Sequence, residues 1–146
     1  MSEENGIVVQ YKREGDDGHF LSMGSDAFAD IRIDYTGIPQ EQRGGTANRL
    51  LCAAALYCFA STFASALKAR GARIKSLTGR AIPEKGRDDY HRTKIKQINI
   101  EIDVDVEEED KPILEKCQKI MEQGCLVTYS LGEGIEVEHS IRYIGK

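Results

Sequence analysis

Four cysteines, Cys52, Cys58, Cys117 and Cys125, are the side chains of this sequence best suited to chemistry. As a thiolate, cysteine is a strong nucleophile and metal ligand, whereas a thiol packed among apolar groups is inert. The cysteines lie 6, 59 and 8 positions apart, and no C-x-x-C pair occurs. The three histidines, His19, His91 and His139, are equally dispersed. Structural zinc sites draw on closely spaced ligand pairs, so this spacing argues against metal. Cys52 and Cys58 fall on one helix, where six residues separate them by about 120° around the axis and about 9 Å along it. No disulfide can join them while that helix stands. Cys117 sits on the apolar stripe of a second helix, and both it and Cys52 read as small hydrophobic filler. Cys58 is mid-helix in LYCFAS, and Cys125 follows Gly124 and opens a new helical turn. The unpaired N–H groups of an opening helix favour a thiolate at Cys125. Local sequence leaves both open between reactive thiol and packing residue.

The elements that must position these thiols follow from patterning. Residues 7–12 and 19–23 read as two strands about the turn EGDDG, and residues 28–35 as a third. TGIPQEQRGG is loop. The 18 residues from Leu50 to Leu67 carry no charge, between Arg49 and Lys68. That length reaches the membrane-spanning range, but nearly half of it is Ala or Ser, and no second such stretch accompanies it. Apolar residues all round predict a helix buried in protein, ending at Gly71. Residues 72–83 form a strand, EKGRDDYHR a charged turn. Ile98, Ile100, Ile102, Val104 and Val106 then alternate with polar residues as a strand with one buried face. Ile95 is out of phase, which predicts a bulge near Lys96–Gln97. The acidic residues from Glu101 to Asp110 belong to that strand's polar face and lack calcium-loop spacing.

Asp110 and Pro112 open a second helix with Ile113, Leu114, Cys117, Ile120 and Met121 as its stripe. A short helical piece, CLVTYSL, and a last strand bearing Ile135, Val137, Ile141 and Tyr143 complete the chain. The order βββ-α-ββ-αα-β predicts one α+β domain over residues 1–146. A chain of 146 residues with 40% hydrophobic and 30% charged residues is of globular type. The net charge of −4, with no basic cluster, excludes a general nucleic-acid surface. The acidic opening MSEENGIVVQYKR is no export signal, so a cytoplasmic protein without structural disulfides is expected.

Four stretches carry a likeness to a known family. They are GGTANRLLCAAALYCFA (44–60), LKARG (67–71), TKIKQINIEIDVDV (93–106) and KCQKIMEQGCLVTYSLGEGIEVEHSIRY (116–143). In these the chain resembles the OsmC/Ohr hydroperoxide-reducing proteins, over roughly its whole length. The resemblance implies β-sheets around a long buried central helix and two chains intertwined as a homodimer. It also implies antioxidant and stress-response roles, with Cys58 attacking a hydroperoxide and Cys125 resolving the sulfenic acid as a disulfide. An external dithiol reductant would restore both thiols, with no cofactor, metal, nucleic acid or membrane involved.

In this family an arginine held by a glutamate stabilises the thiolate. The family's glutamate, ten residues before its cysteine, is replaced here by Asn48. Arg43 is the expected cation, oriented by Glu41, with Arg49 also nearby in sequence. Leu126 stands where the family commonly has proline after its second cysteine. These two departures motivate an alternative, a small-ligand-binding protein of the same fold with vestigial thiols.

Overall fold

The computed structural model describes residues 6–145, so the opening MSEEN of the expected export-signal test lies outside the described residues. The chain forms two compact units, one ending at Thr46 and the other beginning at Ala47.

The first unit is an antiparallel meander of β1 (Gln10–Glu14), β2 (Gly18–Ser22) and β3 (Ile31–Asp34). Gly15, at φ 69°, turns the chain between β1 and β2. The three expected strands are present, with the first beginning at Gln10 because its ladder ends at the Gln10–Ser22 pair. Val8 and Val9, before it, are exposed. Phe28, out of step in the sequence pattern, also falls outside β3.

The second unit contains nearly all of α1 (Thr46–Ala69), then β4 (Ile74–Arg87), β5 (Thr93–Val106), α2 (Lys111–Ile120) and α3 (Leu126–Glu133). The end of α1 is set by Gly71, at φ 85°. The Ala72 amide donates to the Leu67 carbonyl at 3.0 Å and the Gly71 amide to Lys68 at 3.0 Å. Two of the carbonyls that every helix end leaves unpaired are thereby satisfied.

β4 and β5 pair along their whole lengths as a two-stranded antiparallel ribbon. β4 runs four residues past Pro83, into the stretch expected as turn. The register steps from Glu84–Gln97 to Lys85–Ile95, which leaves Lys96 unpaired as the bulge that the phase of Ile95 predicts. Gly79 lies where the ribbon is most crowded, since a Cβ there would come within 2.7 Å of Ile102 Cδ1 and 3.3 Å of Leu56 Cδ1. A bare backbone lets α1 sit close on the ribbon.

The core of this unit joins Phe63 and Leu67 of α1 to Ala72, Cys117 and Met121, with Leu77, Ile102 and Val104 of the ribbon packed around them. Cys117 is wholly buried, as its place on the stripe of α2 requires, and so is Leu67 of α1. Asp110 precedes α2 as expected, but its carboxylate caps no helix amide. It accepts instead from the Arg73 amide at 2.8 Å and from Arg73 Nε at 3.1 Å. Those bonds hold its carboxyl below the usual range.

Two expectations are corrected. The last strand does not form: residues 134–145 have no regular structure, and Val137, Ile141 and Tyr143 are exposed. A strand needs a ladder partner for its backbone groups, and among the described residues this segment pairs with none. The central helix is also only partly buried within one chain. Cys52, Ala55, Phe63 and Leu67 are covered, while Tyr57 is 75% exposed. By length and composition this helix alone among the described residues could cross a membrane. Its packing through Phe63 and Leu67 onto α2 and the ribbon is that of a core helix.

Candidate active site

Cys58 occupies the midpoint of α1, and the turn after α2 brings Cys125 to it. α2 tightens into a 3-10 turn, Met121–Gln123, and Gly124 follows at φ 78° and ψ −172°. That conformation is open in practice only to glycine. It re-aims the chain so that Cys125 is extended and stands as the N-cap of α3.

The first amides of a helix have no carbonyl partner within the helix and need another acceptor. Here sulfur supplies it. The Thr128 amide donates to Cys125 Sγ at 3.5 Å, and the Val127 amide donates to Cys58 Sγ at 3.5 Å. Thr128 Oγ1 accepts from the Cys125 amide at 2.9 Å and lies 3.3 Å from Cys125 Sγ. This is a reciprocal capping box with a cysteine sulfur where serine or threonine oxygen is usual. The two thiols are near enough to influence each other's ionisation, and the Thr62 hydroxyl also favours charge on Cys58. The amides that reach the sulfurs are those of Val127 and Thr128, beyond Leu126 at the first helical position, where proline would have no amide hydrogen to offer.

The electrostatics of the two thiols run in opposite directions. Burial, and then the hydrogen bond with Cys125, pushes the Cys58 thiol up from the ordinary cysteine value. Burial acts on Cys125 in the same sense, but bonds from Cys58, from the Thr128 hydroxyl and from the Thr128 and Val127 amides outweigh it and pull that thiol down. Of the two, Cys125 is therefore the thiol that gives up its proton more readily. No disulfide joins any two of the four cysteines. Cys52 is buried in α1, and Cys117 lies in the core.

Within the second unit, between α1, β5 and α3, is a cavity of about 410 Å3. Leu51, Ala55, Phe59, Ile98 and Leu131 make its wall largely apolar, while Lys96 and Thr128 contribute polar groups. Neither sulfur lines this space; Thr128, which lies 3.3 Å from Cys125 Sγ through its hydroxyl, is the residue that links it to the dithiol.

Arg43 and Glu41 belong to the first unit. Each of the three guanidinium nitrogens of Arg43 is engaged there. Nε donates to the Ile38 carbonyl at 2.8 Å, Nη1 to Asp17 at 3.0 Å and Nη2 to the Tyr35 carbonyl at 3.2 Å. Its carboxylate partner is Asp17 rather than Glu41, which lies on the exposed 3-10 turn Gln40–Gln42. Asp17 is distant in sequence and is brought near by the β1–β2 turn. Thr128, Thr62 and the Val127 amide were not singled out by sequence reasoning. The signal for Thr128 was its place three residues after a helix-opening residue, where a capping hydroxyl belongs.

A family described as OsmC-like protein matches residues 39–140 of this chain. Among solved structures, an OsmC-like protein of unknown function from Vibrio cholerae O1 biovar eltor is similar, with a TM-score of 0.64 at 16% identity. The match covers 85% of this chain and 90% of that one. An OsmC-like protein from Mycoplasma pneumoniae is similar with a TM-score of 0.65 at 14% identity, covering 86% of each chain. No curated protein matches.

Proposed function

Because the chain belongs to the OsmC-like family, we propose that it is a thiol peroxidase that reduces organic hydroperoxides with Cys58 and Cys125. The observation that carries this is that two thiols from distant parts of the chain both accept from the opening amides of α3, Cys58 from Val127 and Cys125 from Thr128. A dithiol packed only for volume needs no such donors.

The protonation pattern gives Cys125 three successive tasks. As a thiolate it first takes the proton of Cys58, leaving Cys58 as the nucleophile. Cys58 sulfur attacks the distal oxygen of ROOH, the O–O bond breaks, and Cys58 becomes a sulfenic acid as RO⁻ departs. The proton held by Cys125 passes to RO⁻ and gives ROH. The Cys125 thiolate then attacks the sulfenic sulfur, the S–O bond breaks, and a Cys58–Cys125 disulfide forms with loss of hydroxide. An external dithiol reduces that disulfide by exchange and is itself oxidised. The hydroperoxide supplies the oxidising equivalents, and the scheme uses no cofactor. Arg43 as activating cation remains an expectation outside this scheme, with Asp17 rather than Glu41 as the carboxylate that holds it.

The apolar wall of the cavity suits a hydroperoxide with a hydrocarbon group better than hydrogen peroxide. A homodimer is part of the proposal. The uncovered apolar face of α1 and the exposed apolar side chains of residues 134–145 are surfaces a second copy would bury. The whole chain acting as one domain in the cytoplasm is likewise part of it.

The test is to add one equivalent of an organic hydroperoxide to reduced protein and count thiols. Two thiols per chain are expected to disappear, and Cys58→Ser is expected to abolish hydroperoxide loss. Absence of consumption by wild-type protein under turnover with a dithiol rejects the proposal. The same cavity favours a second reading, binding of a small apolar ligand with idle thiols. In that case Cys58→Ala would leave binding of the ligand unchanged and no hydroperoxide would be consumed.

A further inference from the structure

We propose that Thr128 is a positioning residue for the resolving half of the reaction, its hydroxyl holding the charged Cys125 sulfur toward Cys58 while Cys58 is a sulfenic acid. This rests on the peroxidase reading above and extends it to a residue that reading does not use.

The geometry restricts what the Thr128 hydroxyl can do. Its oxygen accepts the Cys125 amide proton at 2.9 Å, so its lone pairs are partly committed and its single proton is left to donate. Cys125 Sγ, at 3.3 Å, is the acceptor in reach. A thiolate accepts but cannot donate, so the O–H can point only one way once Cys125 is charged. The Thr128 amide adds a second donor to the same sulfur. Together they fix the Cys125 side chain, because a sulfur tied to both groups cannot rotate away without losing two hydrogen bonds.

A second feature depends on the same oxygen. A Cβ at Gly124 would lie 2.7 Å from Thr128 Oγ1, inside contact distance. The turn is thus closed tightly around this hydroxyl, with room for hydrogen and no more. A reciprocal cap that served only to start α3 needs the bond from the Cys125 amide to the hydroxyl and the bond from the Thr128 amide to sulfur, and not the hydroxyl–sulfur approach. The additional approach to sulfur is what assigns Thr128 to the chemistry.

In the step concerned, the Cys125 thiolate forms a bond to the sulfenic sulfur of Cys58, the S–O bond breaks, and hydroxide leaves and is protonated by water. Thr128 neither gains nor loses a proton overall. It sets the fraction of Cys125 that is ionised and aimed, and therefore how long the sulfenic acid survives.

The experiment compares wild type with Thr128→Val and Thr128→Ser, each oxidised by one equivalent of cumene hydroperoxide, with dimedone added at timed intervals and Cys58 adducts counted by mass spectrometry. Loss of a hydrogen bond to a charged group is expected to lengthen the life of the Cys58 sulfenic acid in Thr128→Val by about tenfold. Thr128→Ser is expected to restore it. A second arm needs no peroxide: in a Cys58→Ser background, the pH midpoint of Cys125 alkylation by iodoacetamide is expected to move upward with Thr128→Val and return with Thr128→Ser. Thr128→Ala serves in both arms if the valine variant does not fold. Equal sulfenic lifetimes and equal alkylation midpoints in wild type and Thr128→Val would overturn the assignment. If wild type consumes no hydroperoxide, the peroxidase reading fails, and the alkylation arm still decides whether Thr128 holds charge on Cys125.

Discussion

Two regions of the second unit each enclose a cysteine. Around Cys117, the neighbours are Phe63, Leu67 and Met121, and the sulfur is wholly buried without a polar partner nearby in that cluster. Around Cys125, which is 5% exposed, the neighbours are a hydroxyl, two helix-opening amides and a second thiol. Burial is nearly the same, and the chemistry differs. Removing a thiol from water disfavours its charged form unless something replaces the water. At the opening of α3 the replacement is built from backbone groups that the helix cannot use itself. Burial alone makes a cysteine a packing residue; burial beside unpaired donors makes it a reagent.

Serine substitutions break this comparison most sharply. Cys125→Ser is expected to stop disulfide formation completely, with the cap retained by the serine oxygen, whereas Cys117→Ser leaves turnover intact. The cost of Cys117→Ser appears instead as stability, about 1–3 kcal/mol for a hydroxyl left unpaired in the core. Hydroperoxide assays beside urea denaturation curves separate the two effects. The turn before Cys125 gives the next largest effect. Gly124→Ala imposes a side chain on a conformation that excludes it and is expected to cost about 1–3 kcal/mol while displacing Thr128. Thermal melts and Cys125 alkylation rates would reveal both consequences.

The smallest effect sharpens the contrast within the pair. Cys125 is held below the reference value of 9.0 and Cys58 above it. As pH rises, Cys125 therefore becomes reactive to iodoacetamide first, with its midpoint below 9.0, and Cys58 follows above 9.0. A folded-state pKa below the unfolded one favours the native state above the unfolded pKa. That contribution is lost as pH falls through the folded value. For Cys58 the sign is opposite: its stabilisation is present below the unfolded pKa and is lost as pH rises through the folded value. Mass-resolved alkylation of the two thiols across pH 6–11 checks the order, and a reversed order would remove the distinction between them.

Much of this architecture was legible in residue order because it depends on local rules. Strict alternation from Ile98 to Val106 located a strand face, and the phase of Ile95 located the bulge at Lys96 one ladder step away. Gly71 and Gly124 marked chain reversals at positive φ. Cys125 was readable as a helix opening because it follows such a glycine. What residue order did not disclose depends on contacts between distant segments. Arg43 was expected to lean on Glu41, two residues before it, and leans on Asp17, which the β1–β2 turn brings near. Asp110 looked like a helix cap and serves the Arg73 amide 37 residues away. The alternation of Ile135, Val137, Ile141 and Tyr143 promised a strand, but pattern cannot supply a ladder partner. Thr128 combined both kinds of information, since its capping role is local and its approach to the Cys125–Cys58 pair is not.

The β4–β5 ribbon also bears on the order in which the unit assembles. Its strands are joined through only residues 88–92, where Asp88 accepts the Tyr90 and Arg92 amides at 2.8 and 2.9 Å. Pairing that spreads outward from so short a connection closes small loops one after another, and isolated hairpins form within about 1–10 μs. The bond between Asp110 and the Arg73 amide, by contrast, closes a loop of 37 residues and must await the ribbon it ties off. The ribbon is thus the early template of this unit. The meeting of the two sulfurs, 67 positions apart between Cys58 and Cys125, belongs to its last consolidation.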